Sequence, residues 1–257
     1  SVSTLTITVT GTNDVPVAVA DVNTATEDAA VVNGTVATND SDADATATRT
    51  YSLAQGQAAV AGFTLNSNGS YSFNPGNAAY QHLNAGETLD VVVNYTLTDD
   101  QGTSSNSSLT ITVTGTNDAP VITSDVQAAT VKEDVTLTAT GTVTSSDVDH
   151  GATAAYSGNA TGTYGSFVVN AATGAWTYTL ANGAHQALAA GESHNEVFTV
   201  TVTDDKGATV TQDVTVTVQG TNDAPVLSAS LTSRTYDLNT VADVNTPDAT
   251  GTLSATD

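Results

Sequence analysis

The chain has 257 residues and a net charge of −23, with 27 acids against only 4 Lys and Arg. So acidic a chain repels the phosphates of nucleic acid and of anionic membrane surfaces, which excludes both as partners. Cys and Met are absent, so no disulfide framework holds the chain, and no apolar run approaches the roughly 18 residues that suggest a membrane span.

In chain order, the first element is a strand-like segment, Leu5-Thr-Ile7-Thr-Val9, in which apolar residues alternate with Thr. It leads into Gly11-Thr12-Asn13-Asp14-Val15-Pro16, which returns as Gly115-Thr116-Asn117-Asp118-Ala119-Pro120 and as Gly220-Thr221-Asn222-Asp223-Ala224-Pro225. A period of about 105 residues marks a tandem array of whole domains, because solenoid repeats run only about 20–50 residues. The expected organisation is the last strand and linker of a preceding unit (1–14), two full repeats (15–118 and 119–223) and the opening strands of a third (224–257). At the joints, Gly is expected to end the strand at positive φ, Asn and Asp to close turns, and Pro to stop the ladder and stiffen the entry to the next unit.

Within the first full repeat, Phe63-Thr-Leu65 and Tyr71-Ser-Phe73 flank Asn66-Ser-Asn68-Gly69 and predict a hairpin. Residues 78–87 have room for one helical turn. Val91, Val93, Tyr95 and Leu97, and then Leu109, Ile111 and Val113, alternate with polar residues as half-buried antiparallel strands. The second repeat has the same plan. Its hairpin joins Phe167-Val-Val169 to Trp176-Thr-Tyr178, its helical turn falls at 184–192, and its long strands carry Phe198, Val200, Val202 and Val214, Val216, Val218. About seven short strands per repeat predict an all-β chain of tandem immunoglobulin-like β-sandwich domains in an extended array.

The acids respect this plan. In an up-and-down sandwich, Glu27-Asp28 and Glu133-Asp134 fall at the C-terminal pole of their repeats. Asp40-Ser-Asp42, matched with Asp147-Val-Asp149, and Asp99-Asp100, matched with Asp204-Asp205, fall at the N-terminal pole. The middle joint then gathers Glu27, Asp28, Asn117 and Asp118 with Asp147, Asp149, Asp204 and Asp205. The first joint gathers Asn13, Asp14, Asp40, Asp42, Asp44, Asp99 and Asp100, and the third Glu133, Asp134, Asn222, Asp223 and Asp257. Turn chemistry explains each Asp singly, but not why three separate loops turn acidic at one pole in both repeats. Crowded carboxylates repel without counter-charge. Ca2+ takes about 6–8 oxygen ligands of this kind, so calcium ions are the expected cofactor. No His or Cys for Zn2+ sits at these positions. Asp40-x-Asp42-x-Asp44 does not begin an EF-hand, since Ala45 and Tyr51 stand where Gly and Glu are required.

Other residues point away from chemistry. His82, His150, His185 and His194 do not recur between repeats, and no nucleophile–base set stands away from the joints, so no enzyme is expected. Trp176 and Tyr178 would suit a sugar, but Tyr71 and Phe73 match them in the other hairpin, which favours core packing. The end stretches 1–10 and 226–257 hold too few strands for a core. They are expected to belong to a longer array, or to be completed head to tail by neighbouring copies.

The run Ala187-Leu-Ala-Ala-Gly-Glu192, then Phe198-Thr-Val-Thr-Val-Thr-Asp-Asp-Lys-Gly207, then Val-Thr-Val-Gln-Gly-Thr-Asn-Asp-Ala-Pro225 resembles the VCBS repeat of giant bacterial RTX surface adhesins. Leu83-Asn-Ala-Gly-Glu87 and Thr98-Asp-Asp-Gln-Gly102 carry it more loosely in the first repeat. The Asn-Asp joint and the Asp-x-Asp pair are also similar to cadherin calcium motifs. The resemblance implies a cadherin-like extender module, secreted to the cell surface, with calcium at its linkers and neighbouring repeats as its partners. The third repeat departs from it: Thr235-Tyr-Asp237-Leu lacks the Glu-Asp pair. Together these readings predict a calcium-rigidified extender of an extracellular adhesin or filament, serving cell adhesion and biofilm. The alternative is a carbohydrate- or protein-binding module of a surface protein.

Overall fold

The computed structural model of the chain describes residues 2–230 and 252–256. Asp257 and the Thr235-Tyr-Asp237-Leu segment lie outside the described residues. Two compact units are present. The first takes residues up to Val121 together with Ser146–Ala154 and Thr203–Thr209. The second takes Ile122–Ser145, Ala155–Val202 and the residues from Val210 on.

The first repeat contains β1 (Asp21–Thr26), β2 (Val32–Thr35), β3 (Thr50–Leu53), β4 (Phe63–Leu65), β5 (Ser70–Phe73), β6 (Thr88–Thr98) and β7 (Ser104–Thr114). They form two sheets, ordered β1-β7-β6-β3 and β2-β5-β4. Period-two alternation sets which side chains face inward. Val93, Tyr95, Leu97, Leu109, Ile111 and Val113 are at most 1% exposed, and with Phe73 from the other sheet they make the core. The hairpin forms as expected, with Leu65 opposite Tyr71 and Gly69 at φ 83° in its turn.

One expectation is corrected. The sandwich is not up-and-down, because β1 runs parallel to β7, from Asp21 opposite Leu109 to Thr26 opposite Thr114, while β6 pairs with β7 antiparallel. Alternation fixes the buried face of a strand but is the same beside a parallel or an antiparallel neighbour. The poles survive this change. Both β1 and β7 end at one pole, where Glu27 N–H donates to Thr114 O at 2.9 Å. The antiparallel bridge between Val17 and Ser41 brings the chain after β2 back to the other.

The second repeat contains β8 (Val121–Ile122), β9 (Gln127–Lys132), β10 (Thr138–Thr142), β11 (Ser145–Ser146), β12 (Ala154–Ser157), β13 (Ala160–Thr161), β14 (Gly165–Val169), β15 (Ala175–Leu180), β16 (Ser193–Asp204) and β17 (Thr209–Gln219). Its sheets are ordered β12-β16-β17-β9 and β10-β15-β14-β13, and β9 again runs parallel to β17. Phe167 stacks on Phe198 with ring centroids 4.7 Å apart and planes within 2°, and Trp176 lies 5.5 Å from Phe167. Where the first repeat has Val91, the second places Glu196, buried at 8% exposure. Tyr178 Oη donates to Glu196 Oε2 at 2.5 Å and Tyr164 N to Oε1 at 3.0 Å, so both oxygens are satisfied.

Two further expectations change. The helical turn in the first repeat is a series of turns, and in the second it is one turn of 3-10 helix at Asn182–Ala184, which meets the predicted stretch only at its first residue. Leu5, Ile7 and Val9 are not a strand; they are irregular and 82%, 76% and 88% exposed. Among the described residues no strand pairs with them, and alternation without a ladder holds no extended shape. Beyond the second repeat, β18 (Val226–Ser230) pairs antiparallel with β19 (Thr252–Thr256).

Candidate functional site

The C-terminal pole of the first repeat is built by the turn after β1 and the joint after β7. Glu27 is only 1% exposed; its Oε2 accepts from Thr116 N at 2.9 Å and its Oε1 from Gln81 Nε2 at 3.3 Å. Asp28 takes the left-handed conformation at φ 59°, which Asp tolerates better than most side chains, and Asp134 repeats it at 57°. Gly115 serves a different purpose from the one expected, since its φ is not positive. A Cβ there would stand 2.4 Å from Asn84 O and 2.5 Å from Leu83 O, so Gly is needed for close approach of two backbones. Gly220 is the same, with Ala189 O and Leu188 O both at 2.5 Å.

The first compact unit brings the residues of the middle joint together. Asn117 Nδ2 donates to Asp204 Oδ2 at 2.8 Å and to Asp118 O at 2.7 Å. Asp118 N donates to Asp149 Oδ2 at 3.0 Å, and Asp149 N to Asp147 Oδ1 at 3.0 Å. Asp204 Oδ1 accepts from Lys206 N and Ala208 N at 2.8 and 2.9 Å. Asp205 pairs with Lys206 Nζ at 2.6 Å, on the wet rim. Three carboxylate oxygens are buried without a hydrogen-bond partner: Asp118 Oδ2, Asp147 Oδ2 and Asp149 Oδ1. Asp149 is only 6% exposed, so its second oxygen is withdrawn from bulk solvent with no protein donor facing it.

The electrostatics agree with the geometry. Burial, together with the neighbouring charges of Asp28, Asp149 and Asp147, pushes the Asp118 carboxyl above its usual range. Burial also raises Asp149, against its bond from Asp118 N, with Asp147, Asp204 and Asp205 adding repulsion. Glu27 is raised chiefly by burial, and Asp118, Asp28 and Asp149 add to it. Asp204 moves the other way, held down first by the Asn117 amide.

At the first joint the geometry repeats with one shift of register. Asn13 Nδ2 donates to Asp99 Oδ2 at 2.9 Å, as Asn117 does to Asp204. Asp14 N donates to Asp44 Oδ2, and Asp44 N to Asp42 Oδ1, both at 2.9 Å. The equivalent of Asp147-Val-Asp149 is therefore Asp42-Ala-Asp44, not Asp40-Ser-Asp42. Asp40 turns inward instead. Its Oδ1 takes Val19 N at 2.7 Å, and the Arg49 guanidinium donates to its carbonyl oxygen. Two acidic pairs overlap in one run of sequence, and only the backbone path decides between them. Asp42 Oδ2 is again a buried oxygen without a partner, and the Asn13 amide and Thr103 hold the Asp99 carboxyl down at about 2. Asp100 is exposed.

In the second unit, Glu133 is fully buried; its Oε2 accepts from Thr221 N at 3.1 Å and its Oε1 from Gln186 Nε2 at 3.3 Å. Asp134 accepts from Asn182 Nδ2 at 2.7 Å and Gln186 Nε2 at 3.2 Å, which lowers its pKa. Asn222 Nδ2 donates to Asp223 O at 2.9 Å, and Thr221 Oγ1 is buried without a partner. Sequence reasoning missed Gln81 and Gln186. Their signal was present, since Ala79-Tyr-Gln81-His-Leu83 and Ala184-His-Gln186-Ala-Leu188 share Ala-x-Gln-x-Leu at the repeat period.

Among the described residues, no three His, Cys, Asp or Glu side chains are gathered closely enough to hold one ion as they stand. The donors are nonetheless hard oxygens, several of them buried and unpartnered, which is the chemistry that fits a calcium ion. Trp176 and Tyr178, at 2% and 0% exposure, offer no platform for a sugar.

A family model for the bacterial cadherin-like domain matches residues 13–115 and 117–220. Among solved structures, human CDH23 EC21-23 is 18% identical, with 84% of this chain and 73% of that chain covered at a TM-score of 0.50. Mouse cadherin-23 EC22-24 is 19% identical, covering 81% and 64% at 0.45. The protocadherin gamma B7 extracellular domains 1-4 are 16% identical, covering 85% and 53% at 0.45, so the chain spans about half the length of that structure. No curated protein matches the chain. The likeness is one of fold: tandem cadherin-like β-sandwiches.

Proposed function

We propose, for a chain that belongs to the bacterial cadherin-like domain family, that it is a calcium-rigidified extender segment of a secreted bacterial adhesin or extracellular filament. The observation that carries this reading is the set of buried carboxylate oxygens at the middle joint that lack any partner, at Asp118, Asp147 and Asp149. Among the described residues, the cation at this joint is Lys206, and it pairs with Asp205. Glu27, Asp28, Asn117, Asp118, Asp147, Asp149 and Asp204 would hold the ions. Asn13, Asp14, Asp42, Asp44 and Asp99 would do so at the first joint, and Glu133, Asp134, Asn222 and Asp223 at the third. Bound calcium supplies positive charge and a shared coordination shell. The chain's own part is to fix the acids in place: backbone N–H groups orient one oxygen of Asp147 and one of Asp149 and leave the other of each free, while the Asn117 amide and two backbone N–H groups hold both oxygens of Asp204.

The same reading makes 1–14 the closing strand and linker of a preceding repeat, because Leu5–Asp14 is identical to Leu109–Asp118, the end of β7 and its joint. It assigns the chain to the cell exterior, with neighbouring repeats as its partners, and gives it no catalytic role. Small-angle scattering and thermal unfolding, each in calcium and in chelator, test it. Chelation should shorten the average end-to-end distance and lower the melting temperature, since an ion bound only to the folded state adds stability by mass action. Identical curves in both conditions would refute the reading.

A further inference from the structure

The acidic pair at the C-terminal pole of each repeat is bridged by a side chain that carries no charge. In the first unit, Gln81 Nε2 donates to Glu27 Oε1 at 3.3 Å and to Asp28 Oδ1 at 2.9 Å. In the second, Gln186 Nε2 donates to Glu133 Oε1 at 3.3 Å and to Asp134 Oδ1 at 3.2 Å, and also to Asn182 O at 3.0 Å. The same bridge is built twice, from the same loop between hairpin and long strand. In both, the other oxygen of the buried Glu is taken by a joint Thr N–H, at Thr116 and Thr221. In both, an unpartnered buried oxygen stands at the same joint: Asp118 Oδ2 in one and Thr221 Oγ1 in the other.

Adjacent carboxylates repel, and the repulsion grows when one of them is buried. A carboxamide NH2 has two protons: Gln81 gives one to each acid, and Gln186 shares its two among both acids and the Asn182 carbonyl. The amide brings no positive charge, so it steadies the pair without competing with an incoming cation. We propose that Gln81 and Gln186 are positioning residues for calcium: each holds its Glu–Asp pair together before the ion arrives and so sets the affinity of its pole. This inference rests on the proposed calcium binding.

The test uses the whole chain, with Gln81→Leu and Gln186→Leu measured by calorimetric calcium titration and by melting in calcium and in chelator. Gln186 is exposed, so its replacement keeps the test open if Gln81→Leu folds poorly. Removing a group that orients metal ligands typically weakens the metal about 10–100-fold, and a loss in that range is expected for one class of sites. The melting temperature should fall further below the wild-type value in millimolar calcium than in chelator, because a site weakened about tenfold loses about 1.4 kcal/mol of linkage stabilisation at any calcium concentration well above both dissociation constants. An unchanged isotherm in both variants overturns the inference, as does an equal loss of melting temperature with and without calcium, which would mark a merely structural role. A wild-type chain that takes up no calcium overturns the calcium reading, and this inference with it.

Discussion

Replacing Asp149 by Asn should change stability in opposite directions with and without calcium. The carboxylate is 6% exposed, one oxygen is bonded to Asp118 N at 3.0 Å, and the other has no partner. Asn keeps the shape and one acceptor oxygen but removes the charge. Without ions, relief from the facing acids is on the order of 1 kcal/mol, a like-charge interaction of about 1–4 kcal/mol discounted for partial exposure of the neighbours. With calcium, loss of one charged ligand and an assumed roughly tenfold weaker affinity remove about 1.4 kcal/mol of linkage stabilisation. For a domain of roughly 100 residues, each kcal/mol moves the melting temperature about 4 °C or more. Circular dichroism melts of the wild type and Asp149→Asn should therefore cross: the variant higher by a few degrees in chelator and lower by a few degrees in millimolar calcium. A shift of the same sign in both conditions would show that Asp149 is an ordinary turn residue, and the reasoning would fail.

Gly115→Ala should destabilise the first repeat by about 1–3 kcal/mol or more in urea unfolding, because its Cβ would meet backbone oxygens that cannot yield. Gly11→Ala, with nothing within 4 Å, should be neutral, and equal effects at the two sites would refute the close-approach account. In chelator, stability should rise as pH falls from 7 toward the ordinary carboxylate range of about 4, because the raised carboxyls of Glu27, Asp118 and Asp149 bind protons more tightly folded than unfolded. Below that window it should fall, as Asp99, Asp134 and Asp204, all depressed in the folded state, become protonated. A melting temperature that rises nowhere between pH 7 and the ordinary carboxylate range of about 4 would contradict the repulsion at the joint.

The sandwich was legible where one residue type has one meaning. Leu109, Ile111 and Val113 alternate with Thr, and alternation reports burial directly. The turn signal at Gly69 placed the first hairpin, and the matching apolar segments at Phe167–Val169 and Trp176–Tyr178 placed the second. The features that escaped depend on a neighbour far along the chain. Parallel pairing of β1 with β7 leaves no mark on either strand. A Gly required by positive φ and one required by contact, such as Gly115, look alike in sequence. Asp40, Asp42 and Asp44 are three acids at equal spacing, and only the chain path shows that Asp40 turns inward. Gln81 and Gln186 were overlooked because a neutral amide among acids carries no charge signal, although it touches two carboxylates at once.

The parallel pairing has a mechanical consequence. The chain enters a repeat ahead of β1 and leaves it after β7, and the six residues of β1 lie in register with Leu109–Thr114. Tension applied to the two ends of the repeat pulls these neighbours in opposite directions along their shared axis. The ladder is then loaded in shear, with its rungs strained together rather than peeled one after another. Gln127–Lys132 and Val214–Gln219 repeat the arrangement in the second repeat. Resistance to being pulled open thus resides in the peptide hydrogen bonds of an edge ladder within each repeat, apart from the carboxylates of the joints.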